Sequence, residues 1–250
     1  MRHNAMKARL ARGGWTAGPI LPIAAPALVE VVALAGFDHV LIDAEHGHIS
    51  VADCEGLVRA AEASGITPIV RVPVNAPEAI LRYLDTGAQG VLVPQISSRE
   101  DAERAVRAAR YHPLGQRGLA GTRASDYGLR GSLQDYVREA NEQLLVLGLI
   151  EDIRAVENLP AILAVEGLDI ISIGPADLSQ SMGQPGDVQH PEVQAAIAEI
   201  IRQGVAAGKV VGMNCPTAEA VARARARGVR LTSVAIFGLL AQGARAYLAG

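Results

Sequence analysis

Short apolar runs recur along the chain, separated by longer stretches in which apolar positions return at helical spacing among Ala, Glu and Arg. The runs fall at residues 20–23, 39–42, 68–71, 90–93, 144–150, 169–173, 210–212 and 231–235, each short enough to be a buried strand. The helical patterns fall between and after them, at 26–35, 51–64, 76–86, 99–111, 155–164, 191–207, 217–227 and 237–248. Strand followed by helix, eight times over, predicts βαβ units around a parallel sheet and points to a closed (β/α)₈ TIM barrel in the α/β class, one domain over residues 1–250. Gly36, Gly65, Gly87, Gly167, Gly208 and Gly228 each stand a few residues before a strand, where a left-handed residue would end the preceding helix. An open doubly wound sheet is the other candidate, but no Gly-x-Gly-x-x-Gly follows an early strand and no P-loop motif is present.

Residues 111–131 break the rhythm. They hold Gly115, Gly118, Gly121, Gly128 and Gly131 together with Arg117, Arg123 and Arg130. A loop of that length is either functional or merely solvated. It could close over an anionic substrate or reach a neighbouring subunit.

Composition narrows the function classes. Half of the residues are hydrophobic, which suits a large packed core, and 26 acidic against 23 basic side chains leave a net charge of −3, a poor fit to nucleic acid. No apolar run reaches the roughly 18 residues a membrane span needs, and Pro26 and Glu30 interrupt the one N-terminal segment that could imitate a secretory signal. Cys54 and Cys215 are the only cysteines and form no C-x-x-C pair, so a reducing, cytoplasmic setting is expected, with both thiols as small buried residues.

In a barrel of this kind the chemistry sits at the C-terminal ends of the strands. The second run stops at Asp43-Ala44-Glu45-His46, the third at Arg71, the fifth at Glu151, and the sixth runs into Gly174-Pro175-Ala176-Asp177. Each has a plain structural alternative: Asp43 or Ser50 as a helix cap, Arg71 in a rim ion pair, Glu151 and Asp177 at helix starts. Asp85, beside Gly87, is either a solvated carboxylate or the orienting partner of a base. The opposite rim is expected to be poor in charge, so convergence of four strand ends favours one site. Glu151 and Asp177 are hard oxygen ligands suited to Mg²⁺ or Mn²⁺. Arg71 could stabilise an oxyanion, a carboxylate-oriented His46 could move a proton, and the Gly174–Asp177 turn could hold a carboxylate on its N–H groups. Only two lysines exist, Lys7 and Lys209, and both precede strands, so Schiff-base chemistry has no amine at the right rim. A Ser or Cys nucleophile has no evident histidine partner.

These motifs resemble those of the HpcH/HpaI aldolase family, the metal-dependent class II pyruvate aldolases. The resemblance runs from about Gly14 to Leu248 and is strongest in Leu41-Ile42-Asp43-Ala44-Glu45-His46-Gly47, in Gly87-Ala88-Gln89-Gly90-Val91-Leu92-Val93-Pro94, and from Gly167-Leu168-Asp169 through Ile173-Gly174-Pro175-Ala176-Asp177-Leu178-Ser179. It implies a barrel with an exchanged C-terminal helix, a homo-oligomer (hexameric or dimer-based), and a divalent ion, Mg²⁺, Mn²⁺ or Co²⁺, on Glu151 and Asp177. It also implies His46 as catalytic histidine, Arg71 as the enolate-stabilising group, and Asp43 and Asp85 as carboxylates that orient the histidine or lie across a subunit contact. Gly174, Pro175, Ala176 and Asp177 would hold the pyruvyl carboxylate, and Arg123 would lie near the second substrate. Two positions depart: Leu149 stands where many members carry Gln, and Ala235-Ile236-Phe237-Gly238 replaces a frequent Gly and Asp. The implied reaction cleaves or forms 4-hydroxy-2-oxo acids through a metal-bound pyruvate enolate, with a 2-oxo acid and an aldehyde as partners. An aldol-type condensation of oxaloacetate, as in a siderophore-pathway citrate synthase, is the alternative, and a non-catalytic keto-acid-binding barrel is a third.

Overall fold

The computed structural model describes residues 1–250 and closes eight parallel strands into a barrel in sequence order. The strands are β1 (Thr16–Leu21), β2 (His39–Asp43), β3 (Thr67–Arg71), β4 (Gly90–Val93), β5 (Leu145–Ile150), β6 (Ile170–Ile173), β7 (Val210–Asn214) and β8 (Leu231–Ala235). The helices are α1 (Ala5–Ala11), α2 (Pro26–Leu34), α3 (Val51–Ala63), α4 (Pro77–Leu84), α5 (Arg99–Ala109), α6 (Leu133–Gln143), α7 (Ile153–Glu157), α8 (Leu159–Leu163), α9 (Pro175–Ser181), α10 (Pro191–Ala206), α11 (Ala218–Ala226) and α12 (Ile236–Ala249). All six glycines expected to end helices have positive φ.

Alternation along the strands builds two cores. Outward residues such as Val40, Ile42, Val91, Val146 and Ile171 pack under the helices. Inward residues, among them Leu41, Ile69, Leu92, Leu147, Leu149 and Leu231, fill the barrel, and Met6 and Leu10 of α1 close its N-terminal end. Burying two such side chains contributes roughly 1.5–3 kcal/mol each, enough to fix α1 as a plug.

The differences from the sequence-based expectation have local causes. The first strand lies at 16–21 rather than 20–23, because Thr16-Ala17-Gly18-Pro19 lacks an apolar run and takes its order from pairing with β8, Thr16 opposite Leu231 through Ile20 opposite Ala235. The helix expected at 155–164 is two, broken where Pro160 enters the first turn of α8. Within and beyond the glycine-rich loop lie a 3₁₀ segment, Arg123–Gly128, and α6, which starts on a Ser132 cap. No helix is long and apolar enough to cross a membrane. Cys54 and Cys215 are free and buried, and burial pushes their thiols up to about 12 and about 11, away from any nucleophilic role.

Candidate active site at the C-terminal rim

Asp43 and Arg71 end neighbouring strands and stand opposite each other in register. Arg71 donates from Nε to Asp43 Oδ1 at 2.9 Å and from Nη2 to Oδ2 at 2.6 Å, the bidentate geometry that fixes a guanidinium in one plane. Asp43 Oδ1 also accepts the backbone N–H groups of Glu45 and His46, at 3.1 and 3.2 Å. The turn that follows is tight: a Cβ on Gly47 would lie 2.1 Å from the Asp43 carbonyl oxygen and 2.6 Å from that of Pro22. Desolvation works against the Asp43 carboxylate, yet the Arg71 hydrogen bonds and charge, with the two N–H donors, hold its pKa below the usual value. Arg71 is likewise desolvated and nonetheless raised by Asp43 and Glu45. Asp43 therefore holds Arg71 and the backbone of the turn that carries His46, and makes no hydrogen bond to the imidazole ring within this chain.

The carboxylate nearest the His46 ring is Glu45. Its Oε2 lies 3.8 Å from His46 Nε2, beyond hydrogen-bond length, and 3.3 Å from Arg71 Nη1. That oxygen is sealed from solvent and makes no hydrogen bond. Desolvation raises the Glu45 pKa, against the pull of Arg71 and His46. The His46 side chain is 61% exposed and free to turn toward a substrate. Glu45 had no assigned role from sequence, although it stands inside the motif that supplied Asp43 and His46.

Across the mouth, Glu151 follows β5 and is buried. Its Oε1 accepts the backbone N–H of Gln95 at 2.8 Å. Gln95 delivers that donor from a left-handed backbone, φ 56°, a conformation that costs a non-glycine residue energy and is typical of functional sites. Oε2 lies over Gly174, where a Cβ would come within 3.0 Å of it and 2.9 Å of the Glu151 Cβ. Desolvation, then the negative charges of Glu45 and Asp177, raise the Glu151 carboxyl to about 7 against the Gln95 hydrogen bond. Glu45, Glu151 and Asp177 thus share a field that Arg71 only partly offsets.

Such a field fits a divalent cation. No group of three or more His, Cys, Asp and Glu is arranged to hold one. Glu151 and Asp177 would supply two oxygens, leaving the other positions to water and to a substrate with two oxygens of its own. Helix α9 opens at Pro175, whose nitrogen carries no hydrogen, so the free donors facing the same rim are those of Ala176 and Asp177.

Two expected site residues lie elsewhere. Asp85 caps the C-terminus of α4 and accepts from Arg117 Nη2 at 2.7 Å. Arg123 binds the Glu62 carboxylate at the end of α3 and donates from Nη1 to the Thr86 carbonyl at 2.7 Å. Helix ends that lead into β3 and β4 lie at the N-terminal rim, so within this chain both residues are on the face opposite His46, Arg71, Glu151 and Asp177. That rim is also charge-rich, contrary to expectation: Arg110 pairs with Asp169 at 2.6 Å and Arg9 with Asp38 at 2.5 Å. Spacing in the sequence could not reveal this, because these pairs join residues 59 and 29 positions apart.

The chain is similar to known proteins over nearly its whole length. Residues 18–241 match the family described as HpcH/HpaI aldolase/citrate lyase. The 4-hydroxy-2-oxo-heptane-1,7-dioate aldolase of Klebsiella pneumoniae is 40% identical over 250 residues, covering 99% of this chain and 93% of that protein. A crystal structure of an HpcH/HpaI aldolase/citrate lyase family protein from Burkholderia cenocepacia J2315 superposes with a TM-score of 0.92 at 35% identity, covering 98% of each chain. The citrate synthase SbnG superposes with a TM-score of 0.88 at 36% identity, covering 97% of this chain and 95% of that one.

Proposed function

The chain belongs to the HpcH/HpaI aldolase/citrate lyase family, and on that premise we propose how its own residues make and break a carbon–carbon bond. It is a class II aldolase, a carbon–carbon lyase that cleaves or forms 4-hydroxy-2-oxo acids. The observation that carries the site reading is the negative field of Glu45, Glu151 and Asp177, only partly offset by a rigidly held Arg71.

In the cleavage direction the substrate carboxylate meets the N–H groups of Ala176 and Asp177, with Gly174 and Pro175 shaping the turn. His46 takes the proton of the 4-hydroxyl group. The C3–C4 bond then breaks, its electron pair moves into the 2-oxo group, and the 4-carbon leaves as an aldehyde. Arg71 faces the oxygen on which that charge accumulates, and Asp43 keeps the guanidinium in place so that no reorganisation is needed at that moment. Return of the proton to C3 gives pyruvate. A divalent ion held by Glu151 and Asp177, which we propose is Mg²⁺, Mn²⁺ or Co²⁺, would supply Lewis-acid stabilisation of the charge on the pyruvyl oxygens.

Self-assembly is part of the same proposal. Helix α12 exposes Phe237, Leu240, Tyr247 and Leu248, and α2 exposes Val31 and Leu34, apolar faces that a second copy would cover. Asp85 and Arg123 would then act from the face opposite their own chain's site. A cytoplasmic location also belongs to this reading, supported by the two free buried thiols.

The test is exchange of the pyruvate methyl protons in D₂O, followed by NMR, with each of the three ions and again with EDTA. Exchange that requires the ion is the expected result. Absence of exchange with every ion would overturn the pyruvate reading and favour the condensation of oxaloacetate, which the likeness to a citrate synthase supports.

A further inference from the structure

The two halves of the barrel mouth differ in kind. Strands β2 and β3 end in charged residues and β5 is followed at once by Glu151, whereas β6, β7 and β8 bring the uncharged Ser172, Asn214 and Ser233 to the interior. Their inward direction follows from packing and register. A Cβ on Gly212 would lie 3.1 Å from Leu231, a residue of the barrel interior, and 3.3 Å from Ser172 Oγ. Asn214 is two residues beyond Gly212 on the same strand face, and Ser233 two beyond Leu231. Asn214 pairs in register with Ser233, and Ser172 stands between Leu149 and Gly212.

None of these three side chains makes a hydrogen bond within the chain. Nor are the two serine hydroxyls among those sealed from solvent, as those of Thr16 and Thr232 are. Ser172 and Ser233 are otherwise buried, so their hydroxyls meet only what enters through the mouth. Buried polar groups normally have partners; Ser172 and Ser233 have none, and with Asn214, exposed at the end of the strand between them, they form a hydrogen-bonding wall awaiting its complement. The missing partner is neutral, since no cation stands on this wall to receive a carboxylate.

We propose that Ser172, Asn214 and Ser233 receive the second substrate, and that they select aldehydes carrying a hydroxyl group beside the carbonyl. This rests on the aldolase reading of the same site and names its substrate class. A site built to hydrogen-bond a hydroxyl rejects the analogue that lacks it, because its own polar groups are then left unpaired. Asn214, with both a donor and an acceptor at the rim, is the specificity-determining residue, and the two serines extend the wall inward.

Glycolaldehyde and propanal are nearly the same size and differ by a hydroxyl in place of a methyl, so they form the test pair. The kcat/KM of pyruvate addition is measured for both with wild type, Asn214→Leu and the Ser172→Ala/Ser233→Ala double variant. Taking the ratio across variants cancels the intrinsic reactivity of each aldehyde. Asn214→Leu should lower the glycolaldehyde-to-propanal ratio about tenfold and the double variant several-fold. Pyruvate methyl exchange should stay within about twofold of wild type in every variant, a readout that a general loss of structure would not spare. Exchange intact with a ratio unmoved in both variants would overturn this inference alone. No exchange in wild type would overturn the aldolase reading and this inference together.

Discussion

Both rims of the barrel carry charged groups, and they use them in opposite ways. At the N-terminal rim, Arg110–Asp169, Arg117–Asp85 and Arg123–Glu62 are closed pairs. The only two lysines are spent there on backbone, Lys7 on the Leu144 carbonyl at 3.0 Å and Lys209 on those of Val165 and Leu168 at 3.1 and 2.7 Å. At the C-terminal rim Arg71 serves Asp43 and Glu45, while Glu151 and Asp177 have no cation of their own. One rim is electrostatically finished, and the other keeps negative charge in hand for a ligand. Unfinished charge, rather than charge as such, distinguishes the functional face.

Substituting a carboxylate on each rim would sharpen that contrast. Glu151→Gln should reduce ion-dependent aldol cleavage by at least about a thousandfold. Its thermal midpoint should match or exceed that of wild type, because a buried like-charge conflict is removed. A large fall in the midpoint would show that Glu151 is structural. Glu62→Gln should do the reverse: leaving Arg123 buried without its counter-charge costs about 3 kcal/mol in urea unfolding, with kcat per folded molecule unchanged. Lost turnover at unchanged stability would mean that Arg123 reaches a site after all, that of a second copy.

Between the rims lies a third, smaller effect. His39 points into the barrel over Gly18, where a Cβ would come within 2.5 Å of the ring, and its Nδ1 has no partner. Burial lowers its pKa from 6.5 to about 4. The unfolded chain therefore binds the proton first. The stability this neutral imidazole contributes is complete above pH 6.5 and is lost as pH falls toward 4, about 2 kcal/mol of it by pH 5. His39→Gln should flatten the stability profile between pH 7 and 5; an unchanged slope would place the titrating group elsewhere.

Much of this was legible in the residue order. Strand-to-helix alternation gave the barrel and its element sequence, since a period-two apolar run and a period-3.6 stripe can each be buried in only one way. The charged strand ends at Asp43, Arg71, Glu151 and Asp177 followed from the same reading, because every C-terminal strand end reaches one rim. What the order of residues left open was partnership. Asp43 grips Arg71 and the His46 backbone but not its ring, Glu45 is the carboxylate beside the imidazole, and Asp85 and Arg123 close pairs on the far face. Gln95 and Asn214 gave no chemical signal at all, being a bent backbone that aims one N–H and a strand end that runs two residues past its apolar stretch. Local pattern determined which elements form and which of their ends carry charge. Only closure of the barrel decided which charges neutralise one another, because that depends on distances between residues far apart in the chain.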